Sequence, residues 1–160
     1  MLRWLKLLHL DALERMVLRS AWLQRFVVRR HAAAFRRLLA ALPPVHRVTI
    51  IGGGLFPRTA LVLRDLLPSA ELTIVDRSTD NIARARGFVG EDVRVIEASY
   101  RPELCAGADL VVVPLAFDGE REPFYGEPPA PAVAVHDWLW HRRGPGWIVS
   151  VPLLKRLNLA

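Results

Sequence analysis

Three consecutive glycines, Gly52-Gly53-Gly54, stand at the end of the β-branched run Arg47–Ile51, and a carboxylate, Asp76, stands 24 residues beyond Gly52. Glycines at a strand-to-helix turn let the backbone bend tightly and approach a ligand closely. The helix that follows offers free amides and the positive end of its dipole. A carboxylate at the tip of the next strand can accept hydrogen bonds from both hydroxyls of a ribose. The spacing therefore points to a nucleoside, and a turn with no ligand is the structural alternative. The dinucleotide fingerprint needs a third glycine where this chain has Pro57, so the pattern suits a cofactor without a pyrophosphate.

Other chemistry is sparser. Ligands of open α/β sheets sit at the carboxyl ends of the strands, which nominates Asp76-Arg77, residues 97–100 and the segments after the fourth and fifth strands. His136 is a candidate general base because its ordinary pKa lies near neutrality. Asp137 could orient it or act alone, and the alternative is a strand end with His136 packed on Trp138 or Trp140. Tyr100 and Tyr125 could contact substrate or cofactor, with an amphipathic surface role as the alternative. The charge run Asp118–Glu122 lies where a substrate lid would be, though such a run is commonly a solvated loop. Cys105 is the single cysteine, which points to a reducing, cytoplasmic setting and an incidental buried thiol rather than a nucleophile. The five histidines are scattered, so no metal-ligand spacing arises.

The elements that must position these groups follow from the change of hydrophobic period. Ser20 is placed to cap a helix running to about Leu42, with Leu23, Phe26, Val27, Phe35 and Leu38 on its apolar stripe, and Pro43-Pro44 ends it. Upstream, Asp11 and Glu14 have capping-box spacing. Pro57–Leu67 reads as a helix with proline in its first turn. Leu72–Val75 reads as a strand, residues 78–86 as a helix, and Val93–Ile96, Asp109–Pro114, Ala132–His136 and Trp147–Val151 as further strands. Strands alternating with helices imply a parallel sheet with right-handed crossovers. The expectation is an α/β, Rossmann-like, mostly parallel sheet of about five or six strands. A basic helical segment, 1–44, precedes a shortened cofactor-binding domain, 45–160.

Charge is uneven. Residues 1–42 carry +7 and residues 43–160 carry −1 of the net +6. The basic front suits helices packed on the sheet with arginine stems over apolar surface. Residues 1–10, with Trp4, Arg3, Lys6 and five leucines, also suit a peripheral membrane contact. Nucleic acid is not expected, since no aromatic-studded basic face is visible. No signal peptide and no transmembrane run are expected.

As an ordered set, Val48–Gly54, Leu72–Asp76, Val95-Ile96-Glu97-Ala98 and Ala108–Pro114 resemble the first four motifs of class I S-adenosylmethionine-dependent methyltransferases. The resemblance implies an S-adenosyl-L-methionine cofactor, with Gly52, Gly53 and Gly54 at its amino-acid part. Asp76 and Arg77 would then lie at the ribose, and Glu97 and Ala98 would border the adenine. It implies group transfer, most simply of a methyl group, to an acceptor entering over residues 117–125 and 136–138, with His136, Asp137 and Tyr125 as the candidate catalytic residues. The Asn-Pro-Pro-Tyr motif of amino-group methyltransferases is absent: Pro114-Leu115-Ala116-Phe117 stands in its place. A narrower likeness, Gly52-Gly53-Gly54-Leu55-Phe56-Pro57-Arg58-Thr59, is similar to the loop of nicotianamine synthases, which transfer the aminocarboxypropyl arm of the same cofactor. A nucleotide-linked oxidoreductase and a non-catalytic docking module are the remaining alternatives. Little chain is left after the fifth strand to build a substrate pocket, so a homodimer could complete the site.

Overall fold

The computed structural model describes residues 19–53, 56–151 and 153–160. The Asp11–Glu14 capping box, the proposed membrane segment 1–10, and Gly54 lie outside these residues. Helix α1, Ala21–Ala40, begins at Ser20, whose hydroxyl accepts from the Leu23 amide at 3.3 Å. Strand β1, Arg47–Ile51, is followed by α2, Arg58–Leu66, and β2, Glu71–Asp76. Next come α3, Thr79–Val89, and β3, Arg94–Glu97. A short 3-10 turn, Pro102–Cys105, precedes β4, Leu110–Val113. Then follow α4, Glu122–Gly126, β5, Ala132–Trp138, β6, Gly146–Ser150, and β7, Lys155–Leu159.

The strands form one sheet in the order β3-β2-β1-β4-β5-β7-β6. The first five are parallel, and β7 runs antiparallel between β5 and β6. The order reverses at β1 and β4, so the crevice beyond their carboxyl ends is the place where such a sheet binds ligands. The sheet has seven strands rather than five or six. The additional one is Lys155–Leu159, and it completes an antiparallel pair from the short stretch of chain left after β5.

Period-two alternation divides the strand side chains between two cores. On one face Val48, Ile50, Leu72, Ile74, Leu110 and Val112 pack against Phe35 and Leu38 of α1 and Leu63 of α2. Of the expected apolar stripe of α1, Val27, Phe35 and Leu38 are buried, whereas Phe26 is exposed and stacks on Trp22; Arg30 donates to the Val149 carbonyl of β6 at 3.3 Å. On the other face Ile51, Val111, Val113, Val133 and Val135 are joined by Cys105 and Phe124. Among the described residues, the helical elements that contribute to that second core are the 3-10 turn, through Cys105, and the five-residue α4, through Phe124. The Cys105 thiol is buried there and pushed up to about 11 by desolvation, which suits a packed, unreactive group.

Two polar clamps align the strands. Asp109 Oδ2, just before β4, accepts from the amides of His46 and Arg47 at 2.8 and 2.9 Å, fixing the start of β1 beside β4. At the opposite end the Arg121 guanidinium donates to the carbonyls of Leu115, Phe117 and His136. Arg121 therefore ties the segment after β4 to β5.

Candidate functional site

Gly52 follows β1 with φ +88°, a backbone conformation that glycine adopts without strain. Its amide donates to the Val75 carbonyl, holding the turn against β2. Asp76 ends β2. Its Oδ2 accepts from the Gly53 amide at 2.8 Å, and its Oδ1 accepts from the Ser78 amide at 2.8 Å. The second bond is the local turn that aspartate favours two residues on, and it delivers Ser78 to the N-cap of α3. The Asn81 side-chain Nδ2 donates to the same carboxylate by longer contacts, 3.3 and 3.5 Å. Glycine turn and acid are therefore one hydrogen-bonded unit across the ends of two neighbouring strands.

This unit borders a cleft of about 740 Å³ at the carboxyl edge of the sheet, within the size range of small-molecule sites. Gly52, Asp76, Arg77, Ser78 and Asn81 line it. Tyr100, Phe117 and Phe124 line it too, as an aromatic cluster with ring centroids 5.1 to 5.9 Å apart. Such a wall offers flat apolar surface to a heterocycle, and the acid offers acceptors to hydroxyls. Burial, with Cys105 and Glu103 nearby, pushes the Tyr100 hydroxyl up to about 12, so it enters any contact as a neutral phenol. Arg77 forms an ion pair with Asp118, joining the end of β2 to the segment after β4. The residues present thus fit an adenosyl cofactor, through the diol-ready acid, the glycine turn and the aromatic wall.

The sequence-derived residues separate. Gly52, Asp76, Arg77 and Ala98 line the cleft, whereas Gly53 is turned to Asp76 and borders a smaller pocket. Glu97 is not among the cleft-lining residues; its carboxylate accepts from the Thr79 hydroxyl at 2.7 Å. His136 is not brought together with Asp137 and Tyr125; burial first, with Asp137 nearby, raises the Tyr125 pKa, and none of the three lines the cleft. Strand β5 runs on to Trp138, so His136 and Asp137 lie inside it and point to opposite faces. His136 is buried beneath α1, 5.3 Å from the ring of His31 and 5.7 Å from Phe35, not against either tryptophan. Burial first, then the charges of Lys155 and Arg58, lowers its pKa to about 3. Asp137 accepts from the Trp138 amide and pairs with His141 at 2.9 Å. Tyr125 accepts from the Asn158 side chain at 2.9 Å.

Sequence reasoning missed Asn81 and the small pocket behind Gly52. Asn81 was legible in principle as the third residue after a serine N-cap. Phe117 and Phe124 fall in the segment 117–125 expected to meet an acceptor, and both line the cleft; their clustering with Tyr100 was not legible, because only the sheet places residues 100, 117 and 124 side by side.

No family model matches the chain, and no curated protein matches it. Among solved structures, the plantazolicin methyltransferase BpumL, in complex with a desmethylPZN analogue and SAH, aligns with 18% identity and a TM-score of 0.53. The alignment covers 78% of this chain and 51% of that one, so the chain spans about half the length of that enzyme. A mutant of MtNAS, a nicotianamine synthase, in complex with S-adenosylmethionine aligns with 17% identity and a TM-score of 0.61 over 96% of this chain and 71% of that one. The fibrillarin/Nop5p complex aligns with 11% identity and a TM-score of 0.55, covering 74% of this chain and 73% of that one. At these identities the likeness is one of architecture: the chain has the fold of class I S-adenosylmethionine-dependent methyltransferases.

Proposed function

We propose that the chain binds S-adenosyl-L-methionine in the cleft and transfers a group from it. The observation that carries this reading is the Asp76–Gly53 unit beside the topological switch of the sheet, with Asp76 lining the same cleft of about 740 Å³ as an aromatic cluster. The neighbouring structures solved with S-adenosylmethionine or SAH support it. The Asp76 carboxylate would take the ribose diol by displacing the long Asn81 contacts while keeping its two short backbone bonds. Gly52 would admit the amino-acid part, and Ala98 with Tyr100 would border the adenine. When bound, the sulfonium supplies an electrophilic carbon. The chain's work is then orientation and exclusion of water, which suffices for an in-line transfer. His136, Asp137 and Tyr125 have no part at the cleft in this proposal.

Both a methyl group and the aminocarboxypropyl arm are kept as the transferred group. The likeness to MtNAS over 96% of this chain supports keeping the second. The acceptor is unassigned. Among the described residues no helix is long and apolar enough to cross a membrane. We also propose a cytoplasmic setting and a peripheral membrane contact by residues 1–10. Co-sedimentation with anionic vesicles, compared with a chain lacking those residues, tests the second.

A crystal grown with S-adenosylhomocysteine tests the cofactor reading. Density in the cleft with the ribose hydroxyls on Asp76 is the expected result. Ligand bound away from Asp76 would contradict it.

A further inference from the structure

Helix α1 has two faces. Val27, His31, Ala34, Phe35 and Leu38 are buried on the sheet. On the opposite side Trp22, Phe26, Arg29, Ala33 and Arg36 follow one another at helical spacing, and all are exposed. Arg25 and Arg37 flank that line and are exposed too. Trp22 and Phe26 are 68% and 41% exposed and stack on each other, with ring centroids 5.9 Å apart. The mutual stack hides only part of an aromatic area that proteins ordinarily bury. No aspartate or glutamate lies in α1. Arg25, Arg29, Arg36 and Arg37 make no ion pair among the described residues. Arg25 and Arg29 are one turn apart, a like-charge spacing that costs stability in water and that an anionic partner relieves.

A turn enlarges the aromatic end of this face. Leu153, between β6 and β7, packs into the cluster of Val27, Leu23 and Phe56, while Val151 and Leu154 of the same turn stay 55% and 44% exposed. Phe56 follows the glycine turn, so this end of α1 stands at the carboxyl edge of the sheet, the edge that holds the cleft.

We propose that the outer face of α1 docks on an anionic lipid bilayer. The arginines set the sign of the partner, and the aromatics set its nature. Tryptophan settles at the level of the headgroups, and arginine stems lie along the acyl boundary with their heads among phosphates. Val151 and Leu154 add aliphatic area that a nucleic-acid backbone would leave unused, which favours lipid over RNA or DNA. The chain that precedes α1 has the same chemistry: residues 1–10 carry Trp4, five leucines, Arg3 and Lys6. Among the described residues no helix is long and apolar enough to cross a membrane, so the contact is one of the interface. The surface extends the contact proposed for residues 1–10 and needs no adenosyl ligand.

Co-sedimentation of the full chain with phosphatidylcholine–phosphatidylglycerol vesicles, against phosphatidylcholine alone, tests the surface. The expected result is binding to the anionic vesicles only, weakening as sodium chloride is raised. Trp22→Ser with Phe26→Ser should weaken it about tenfold or more. Arg25→Gln with Arg29→Gln should do so by a similar factor. All four side chains are exposed, so thermal melts of both variants should match the wild type. Trp4→Ser with Leu7→Ser reads residues 1–10 separately. If only that variant loses binding, the α1 surface is overturned and the contact by residues 1–10 stands. If only the α1 variants lose it, the α1 surface stands and the contact by residues 1–10 fails. Equal binding to neutral vesicles, or none to either kind by the folded chain, would overturn the proposal. So would tighter binding to single-stranded RNA than to vesicles, or a dimer in sedimentation velocity that both α1 variants dissolve.

Discussion

The Asp76 carboxylate accepts the Gly53 amide at 2.8 Å, so the acid that ends β2 also holds the glycine turn that ends β1. A single side chain therefore shapes the loop and faces the cleft. Asp76→Asn should weaken S-adenosylhomocysteine binding about tenfold or more, since a hydrogen bond to a charged group contributes roughly 1.5–3 kcal/mol. Asp76→Ala should also lower stability, because it strands the Gly53 and Ser78 amides. Asn81→Ala should leave affinity unchanged or improve it, because its contacts are the long ones. Calorimetry on the three variants checks this, and equal losses in Asp76→Asn and Asn81→Ala would count against the assigned roles.

Gly52 carries the positive φ of the turn, and among the described residues a Cβ there would meet only Pro114 Cγ, at 3.8 Å. Gly52→Ala should thus suffer backbone strain without a clash, destabilising by about 1–2 kcal/mol. Urea denaturation measures this; a variant as stable as the wild type would contradict the strain.

Arg121 donates to the carbonyls of Leu115, Phe117 and His136 and so holds the wall carrying Phe117. Arg121→Ala should lower stability by roughly 2 kcal/mol or more by leaving buried carbonyls unmatched. Arg121→Lys should recover only part, because a single ammonium cannot reproduce the fork. Thermal melts of both variants test this, and full recovery by lysine would show that charge alone matters.

His31 and His136 are neutral in the folded protein, held so by burial and by Arg58, Lys155 and, for His136, Arg121. Unfolded, each binds a proton near pH 6.5. The unfolded state therefore gains protons first, and stability falls as the pH drops below 6.5 toward the folded value of about 3 for His136. The slope approaches about 1.4 kcal/mol per pH unit for each histidine. His136→Phe should reduce that slope by about one proton. Denaturation series between pH 7.5 and 5 give the slope, and an identical slope in the variant would contradict a buried neutral His136.

The sequence showed the parallel half of the fold clearly, because β-branched runs, serine caps and proline stops agree locally along residues 20–114. Strand β7 was illegible for a physical reason: Lys155, Arg156 and Asn158 are buried, the reverse of what a strand pattern advertises. His136 and Asp137 read as a reactive strand end only if β5 stops at His136; its extension to Trp138 sends them to opposite faces. The glycine–acid pair was legible because its two members sit at strand ends a fixed crossover apart. The small pocket behind Gly52 was not, because His31, Arg58, His136 and Lys155 meet only through the packing of α1 and β7 on the sheet.

Calorimetric titration of the purified protein with S-adenosylmethionine and S-adenosylhomocysteine, with NAD and NADP alongside, tests the central claim most directly. Micromolar binding of the first pair alone is the predicted result. Binding of a dinucleotide, or of none of the four by a cooperatively folded sample, would contradict it.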